Sequence, residues 1–214
     1  MKKFLILLLL IVTTLFSIGC KERSKYDDQI SQLRNDVLKY DCEEFTLTLY
    51  AEIIETPLVS DGVKGKTENT LTFKLKNNNP SCNFENCSLS FSVNEKSYAK
   101  NFEFKQIPTL LNCSVTVESL PSSTLDVTLT INGKSQAITL KSVKNKSTKS
   151  YGEVLKRLKK EESFASKLEN AELRIRLINN DGYDYWYVGL ITKEKTISYL
   201  LDGETLEIIA RKED

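Results

Sequence analysis

The chain has 214 residues, with 30 basic and 29 acidic side chains, a formal net charge of +1 and no histidine. Without histidine, Ser-His-Asp and Cys-His catalysis are excluded, and so are zinc and haem sites that use histidine ligands. The near-neutral charge argues against nucleic acid as a partner, because phosphate binding requires a concentrated positive face.

Residues 1–19 predict a signal peptide. Lys2 and Lys3 form a basic end, and an uncharged run rich in Leu and Ile follows from Phe4 to Phe16. As a helix this run spans about 20 Å, whereas the hydrocarbon core of a bilayer is about 30 Å thick. The run is therefore too short for a stable transmembrane helix, and we expect it to direct export.

Two readings of the end of this leader remain open. Ser17-x-Gly19 is a small-x-small site for ordinary signal cleavage, which releases a soluble protein. Alternatively, Ile18-Gly19-Cys20 resembles the lipobox of bacterial lipoproteins, with Ser17 where that family usually has leucine. The resemblance implies that Cys20 is lipid-modified, for example with palmitate, and becomes the new N-terminus. It places the protein in the cell envelope, anchored to a membrane on its extracytoplasmic side.

Residues 20–42 are strongly charged, with apolar side chains at Tyr26, Ile30, Leu33 and Val37. Steps of four, three and four residues place these side chains along one narrow stripe of a helix. We therefore predict a polar, partly helical stalk that holds the body off the membrane. A short coiled coil that produces oligomers is the alternative, and the oligomeric state is left open.

Four cysteines other than Cys20 are present, at Cys42, Cys82, Cys87 and Cys113. An even number in an exported chain predicts a disulfide framework, with three possible pairings. Cys82 and Cys87 are close enough in sequence to close a small loop, which leaves Cys42 to pair with Cys113. The alternative, a zinc site made of four thiolates, lacks the usual CxxC spacing. We predict neither a metal nor a cofactor.

Residues 43–143 alternate between apolar and polar side chains, which is typical of short strands with one buried face. The Asn132-Gly133 pair between two such runs is a strong hairpin signal, because a type I′ turn needs two positive φ angles. This region predicts an antiparallel β-sandwich, and its pattern resembles that of immunoglobulin-like domains. The apolar positions fall at Phe45-Leu47-Leu49, Leu71-Phe73-Leu75, Leu89-Phe91-Val93, Phe102-Phe104, Val115-Val117, Val127-Leu129-Ile131 and Ile138-Leu140.

Residues 144–150 are polar and predict a linker to a second domain at 151–214. Ser150 and Glu153 form a capping box at the start of a helix that extends to about Asn170, with a break near Glu161–Ser163. Four apolar runs follow, separated by turn residues. The whole chain is therefore predicted to be mainly β with an α+β tail, in which the helix packs on an antiparallel meander.

The tail resembles the PepSY family of small exported bacterial domains. The residues that carry the resemblance are Trp186-Tyr187-Val188, Ile197-Ser198-Tyr199-Leu200 and the turn from Asp202 to Ile208, in which Leu206 replaces the usual glycine. The family would imply a regulatory or binding role towards peptides or peptidases at the envelope.

Tyr183, Tyr185 and Tyr187 alternate on one predicted strand and so share one face. Such a row can stack against a sugar ring or the side chains of a peptide; alternatively, it only helps to fill a core. We expect a non-enzymatic, lipid-anchored envelope protein that binds a protein, peptide or glycan partner. An inhibitor or modulator of an exported peptidase is the alternative, and a carboxylate-based hydrolase the third hypothesis.

Overall fold

The computed structural model describes residues 26–79, 81, 83–104 and 110–214. Within these residues the protein is mainly β, as predicted, with two short helices, α1 and α2, and 3₁₀ turns at Asp27–Gln29 and Leu168–Asn170. The helices span Tyr151–Leu158 and Glu162–Ala165. The strands are β1 Ile30–Asp41, β2 Phe45–Glu55, β3 Thr67–Asn77, β4 Cys87–Val93, β5 Lys96–Asn101, β6 Glu103–Phe104, β7 Leu110–Val117, β8 Thr124–Ile131, β9 Lys134–Ser142, β10 Glu172–Asn180, β11 Tyr183–Ile191, β12 Thr196–Asp202 and β13 Ile208–Glu213.

Strand β1 joins the two halves of the chain in one sheet. Its first half, from Ile30 to Arg34, pairs in parallel with β10, and its second half pairs with β9 at Leu38 and Lys39. Its other edge pairs with β2 along almost the full length. The main path of the sheet is therefore β13-β12-β11-β10-β1-β2-β3-β7-β6, while β9, β8, β4 and β5 branch from β1.

The branch β9-β8-β4-β5 packs against the strands of the first half and encloses a core. Most of the apolar residues predicted to alternate in residues 43–143 lie in this core, because each strand turns one face inward. Among the largest of its fully buried side chains are Phe45, Phe73, Leu38, Leu47, Leu49, Leu71, Leu75, Leu89 and Leu111.

A second core lies between the helices and β10–β13. Val154, Leu158 and Phe164 of the helices pack on Trp186 and Tyr199 of the sheet. The capping box is confirmed: the Ser150 hydroxyl accepts from the Glu153 N–H, and the Glu153 carboxylate accepts from the Ser150 N–H. The predicted break is also present, since α1 ends at Leu158 and α2 begins at Glu162.

The predicted helical stalk is wrong for the residues that the structure describes. Residues 30–41 form a central strand, whose Ser31 and Gln32 are buried. A bulge between Arg34 and Asp36 shifts the alternation, so the apolar spacing imitates a helical stripe. The parallel partner β10 lies about 140 residues later, and local spacing carries no sign of it.

Residues 144–150 connect the two halves without forming a strand or helix, but they are held in place. The Asp184 carboxylate accepts hydrogen bonds from the Asn145 N–H and the Thr148 hydroxyl. The Lys149 carbonyl accepts from the indole N–H of Trp186, at 3.1 Å. Since Asp184 is itself buried, this segment is part of the folded body rather than a free linker.

The predicted Cys42–Cys113 bridge is not formed, and both residues are free thiols. Cys42 bonds Phe45, which pairs with Asn77 of β3, whereas Cys113 pairs with Phe73. The two cysteines are therefore separated by about 13 Å along the strands and by three strand spacings, or about 14 Å, across them. A disulfide requires Cα atoms within about 7 Å of each other.

The remaining cysteines have different environments. Cys87 and Cys113 are buried free thiols in the first core, whereas Cys42 is half-buried and its thiol lies 3.4 Å from the Phe45 carbonyl. Burial raises the pKa of the Cys113 thiol to about 12 and also raises the pKa of Cys87. Cys82 lies outside the described residues, but Cys87 is a free thiol, so the predicted Cys82–Cys87 bridge is also wrong.

The contacts of Asp184 predict that its removal destabilises the junction between the halves. We expect Asp184→Ala to lower the free energy of unfolding by about 3 kcal/mol, because two partly buried donors lose a charged acceptor and hydrogen bonds to charged groups contribute about 1.5–3 kcal/mol each. The measurement is denaturant unfolding, together with tryptic cleavage after Lys146 and Lys149. Asp126→Ala, which removes an exposed carboxylate bonded to Thr139, is the control. Rapid cleavage of the wild type after Lys146 would contradict the fixed junction.

The thiol environments predict a definite order of alkylation in reducing buffer. At pH 8, a pKa near 12 leaves Cys113 with roughly a thousandfold less thiolate than its ordinary value of 9.0 would give. We expect iodoacetamide to modify Cys42 well before Cys113, as measured by peptide mass mapping, and to modify both alike in guanidinium chloride.

The raised pKa of Cys113 also has a consequence for stability. Burial keeps the Cys113 thiol protonated in the folded state. The resulting contribution to the free energy of unfolding is fully present below pH 9 and is lost as the pH rises towards 12. Equal alkylation rates for Cys42 and Cys113 in the native protein would show that Cys113 is not buried as described.

Candidate functional site

Both cores lie on the same side of the sheet, so the opposite side carries a different set of side chains. Leu49 and Val188 point into the cores, while their neighbours Tyr50 and Tyr187 point to the opposite side. On this outer side, cross-strand pairing aligns Arg34 with Glu52 and with Arg176. Polar and aromatic side chains thus meet across strands that are far apart in sequence.

We call one row on this outer side the cation–tyrosine belt. It crosses five adjacent strands, β3, β2, β1, β10 and β11, and so extends about 19 Å. Its members are Lys74, Tyr50, Arg34, Glu52, Gln32, Arg176 and Tyr187.

Tyr50 is the aromatic centre of the first half of the belt. The guanidinium carbon of Arg34 lies 4.3 Å from the ring centroid, and the ammonium nitrogen of Lys74 lies 4.9 Å from it. Both distances allow attraction between the cation and the ring quadrupole, which is worth about 0.5–1 kcal/mol at exposed sites. The ring therefore holds two positive charges close to each other.

Tyr187 has the same role in the second half. The guanidinium carbon of Arg176 lies 5.3 Å from the ring centroid of Tyr187, and the Tyr187 hydroxyl is 3.1 Å from that of Ser198. Gly189 makes room for this ring, because a Cβ atom there would lie 3.0 Å from the tyrosine oxygen. The ring is thus fixed by contacts on both of its ends.

Gln32 connects the two halves of the belt. Its side-chain oxygen accepts from the Arg176 Nε–H at 2.7 Å, and its amide donates to the Glu52 carboxylate at 2.6 Å. Arg34 is fixed separately, since its Nε–H donates to the Leu177 carbonyl at 3.0 Å. The belt side chains are therefore ordered before any ligand arrives, which reduces the entropic cost of binding.

The belt has an excess of positive charge. Lys74, Arg34 and Arg176 are set against the single carboxylate of Glu52. Burial lowers the pKa of Arg34, although the charge of Glu52 acts in the opposite direction. Burial also lowers the pKa of Lys74, and the nearby charge of Arg34 adds to this effect. The negative charge of a bound anion would raise both pKa values again.

The three predicted binding tyrosines share the outer side of β11, but only Tyr187 belongs to the belt. Tyr183 is 69% exposed, and Tyr185 is half-buried and pairs across the sheet with Ile178 and Asp202. The inward residues of the same strand, among them Trp186, fill the second core.

Sequence reasoning missed every residue of the belt except Tyr187. Alternation along β2 places Tyr50 on the polar side with Thr46 and Thr48, which is a usable local signal. No such signal exists for Arg34, because its segment was predicted to be a helix and its position depends on pairing with β10.

The other predicted site residues fall into two groups. Cys20 and Cys82 lie outside the described residues, and Cys42, Cys87 and Cys113 are free thiols. In the part of the chain that the structure describes, no group of three or more Cys, Asp or Glu side chains is placed to hold a metal ion. No helix among the described residues is long and apolar enough to cross a membrane.

No protein-family model, curated protein or solved structure matches this chain. The lipobox and PepSY resemblances therefore stay predictions, and any functional assignment has to come from the site itself.

Proposed function

We propose that this is a non-enzymatic, lipid-anchored protein of the cell envelope that binds an acidic partner on its cation–tyrosine belt. The membrane anchor is the acylated Cys20, on the extracytoplasmic side. The belt is the observation that carries the binding proposal, because it combines ordered, half-buried tyrosine rings with three cations set against one carboxylate on the outer side of the sheet.

The chemistry of the belt selects the partner. Arginine guanidinium groups bind carboxylates with charge-assisted hydrogen bonds, which are roughly twice as strong as neutral ones. Tyrosine rings add apolar area together with a polar tip, which suits both sugar rings and peptide side chains. We therefore propose an acidic segment of a protein or peptide, or an anionic glycan, lying across the strands.

The fold adds support of a more general kind. The two layers around the first core are consistent with the immunoglobulin-like sandwich predicted from the sequence, but such folds host unrelated functions. The helices on one face of β10–β13 favour the second candidate, a modulator of an exported peptidase, because this arrangement agrees with the α+β tail expected from the PepSY resemblance.

The belt predicts that loss of two of its cations weakens binding to acidic probes. We expect the double variant Lys74→Gln and Arg176→Gln to bind poly-L-glutamate and alginate at least about tenfold more weakly, because a hydrogen bond to a charged group contributes about 1.5–3 kcal/mol. The measurement is calorimetric titration at two salt concentrations. Arg34 is left unchanged, since it also bonds the Leu177 carbonyl.

A matched control lies on β5, where Lys96 is 6.0 Å from the ring of Tyr98. The double variant Lys96→Gln and Lys100→Gln removes the same charge and should bind both probes as the wild type does. If both double variants bind the probes equally weakly, the loss of affinity is due to net charge and not to the belt. If the wild type binds neither probe, the belt is not an anion site. A preference for one probe assigns the partner class.

The anchor predicts that Cys20→Ser converts the protein from membrane-bound to soluble. A serine cannot form the thioether link to lipid, so we expect the variant to move to the soluble fraction and to lose the mass of the acyl groups. Fractionation of the native host followed by intact mass spectrometry measures both. Unchanged membrane association with an unchanged mass would remove the lipoprotein assignment and leave the belt proposal intact.

A further inference from the structure

The loop between β2 and β3, residues 56–66, carries a concentration of exposed apolar side chains. Five large hydrophobic residues are exposed in the described part of the chain, and three of them lie in this loop, within one stretch of six residues. They are Leu58, Val59 and Val63, which are 42%, 45% and 57% exposed. Exposed apolar residues are common singly, but a cluster on one loop indicates a contact surface.

This loop is held in place by contacts with the strands and the turn beside it. The Val59 carbonyl accepts from the Arg174 guanidinium at 2.6 Å, and the Gly65 N–H donates to the Glu55 carboxylate. Gly62 lies directly on the turn between β11 and β12: a Cβ atom there would be 2.8 Å from the Lys193 nitrogen, and its φ is +80°. The apolar side chains are thus presented by a fixed backbone.

The loop also lies beside the first residues that the structure describes. The Lys64 ammonium donates to the Asp27 carbonyl at 3.0 Å, one residue after Tyr26. Six residue steps separate Tyr26 from Cys20, and a fully extended chain covers at most about 3.6 Å per residue. An acyl anchor on Cys20 therefore keeps this end of the protein within about 22 Å of the bilayer surface.

Charge contributes little to the contact. Lys64 is engaged with the Asp27 carbonyl, and Lys66 forms an ion pair with Glu68 at 3.1 Å. The two acidic residues Asp61 on the loop and Glu194 on the neighbouring turn balance the two positive charges of Lys64 and Lys193. An apolar cluster with balanced charge suits the boundary between headgroups and acyl chains, where side chains of this kind partition.

We propose that Leu58, Val59 and Val63 insert into the outer part of the lipid bilayer and orient the anchored protein on it. The occupant of this surface is the membrane to which Cys20 is attached. The inference rests on the proposed lipid anchor, which brings the loop to the bilayer; the loop fixes which face of the body the bilayer meets.

The test places a tryptophan probe on the loop and a matched probe away from it. Ile209 on β13 is 53% exposed, close to Val63 at 57%, and lies near the end of β12 opposite to the loop. Val63→Trp and Ile209→Trp are purified as acylated full-length protein and reconstituted into phosphatidylcholine vesicles with brominated acyl chains. The signal of the buried Trp186, common to both, is subtracted by means of the wild type.

We expect insertion into the bilayer to shift the emission of Val63→Trp to the blue and bromine to quench it, while Ile209→Trp stays unquenched. Adding Leu58→Ser and Val59→Ser to Val63→Trp should reduce the quenching. An acylated protein whose Val63→Trp is unquenched overturns the loop contact alone, and equal quenching at both sites overturns the orientation. Shielding of Val63→Trp only in native membranes, and not in lipid vesicles, would assign the loop to a protein partner and overturn the proposal.

Intact mass spectrometry distinguishes failure of the loop contact from failure of the proposed lipid anchor. If the native protein carries no acyl group and Val63→Trp of the unmodified chain is unquenched by added vesicles, both proposals fail. If the unmodified chain is quenched, the loop contact holds and only the lipid anchor is lost.

Discussion

The fold depends on one strand that is shared between two sets of partners. The first half of β1 pairs with β10 and its second half with β9, and the change of partner takes place at the bulge between Arg34 and Asp36. A bulge adds a residue to one strand and increases its twist. The two halves of β1 can therefore pair with strands that run in different directions. Because both cores include residues of β1, neither half of the chain can complete its sheet without it.

The shared strand explains why polar side chains are buried at the centre of the sheet. Ser31 donates to the Glu172 carboxylate, which also accepts from Arg174 at 2.8 Å. Gln32 bonds Glu52 and Arg176, so the polar groups of β1 are satisfied by the strands on either side. The belt residues therefore stabilise the contact between the two halves of the chain and also form the proposed binding surface. For this reason the binding variant spares Arg34, and its free energy of unfolding is compared with that of the wild type, because Arg176 also donates to Gln32 of β1.

The parts of the fold that depend on neighbouring residues in the sequence were mostly predictable. Alternation identified the inward residues of β2, β3 and β8, Asn132-Gly133 identified a hairpin, and Ser150 with Glu153 identified the start of α1. The identity of β1 was not predictable, because its parallel partner is about 140 residues away and its bulge gives the apolar residues a helical spacing. The same non-local pairing brings Arg34 and Arg176 together, so the tyrosines of β11 were found and most of the belt was not.

The position of the belt constrains the kind of partner that an anchored protein can reach. Gln32 and Arg34 lie only two and four residues beyond the start of β1, or roughly 7–13 Å along the strand. The belt also runs across the strands rather than along them, whereas β1 leads away from the end that carries the apolar loop and that the proposed anchor would hold at the membrane. With the loop on the bilayer, the belt therefore extends roughly parallel to the membrane and close above it. A partner in that layer would be an extended acidic chain lying along the surface, such as a membrane-proximal protein segment or an anionic glycan, rather than a compact protein approaching from a distance.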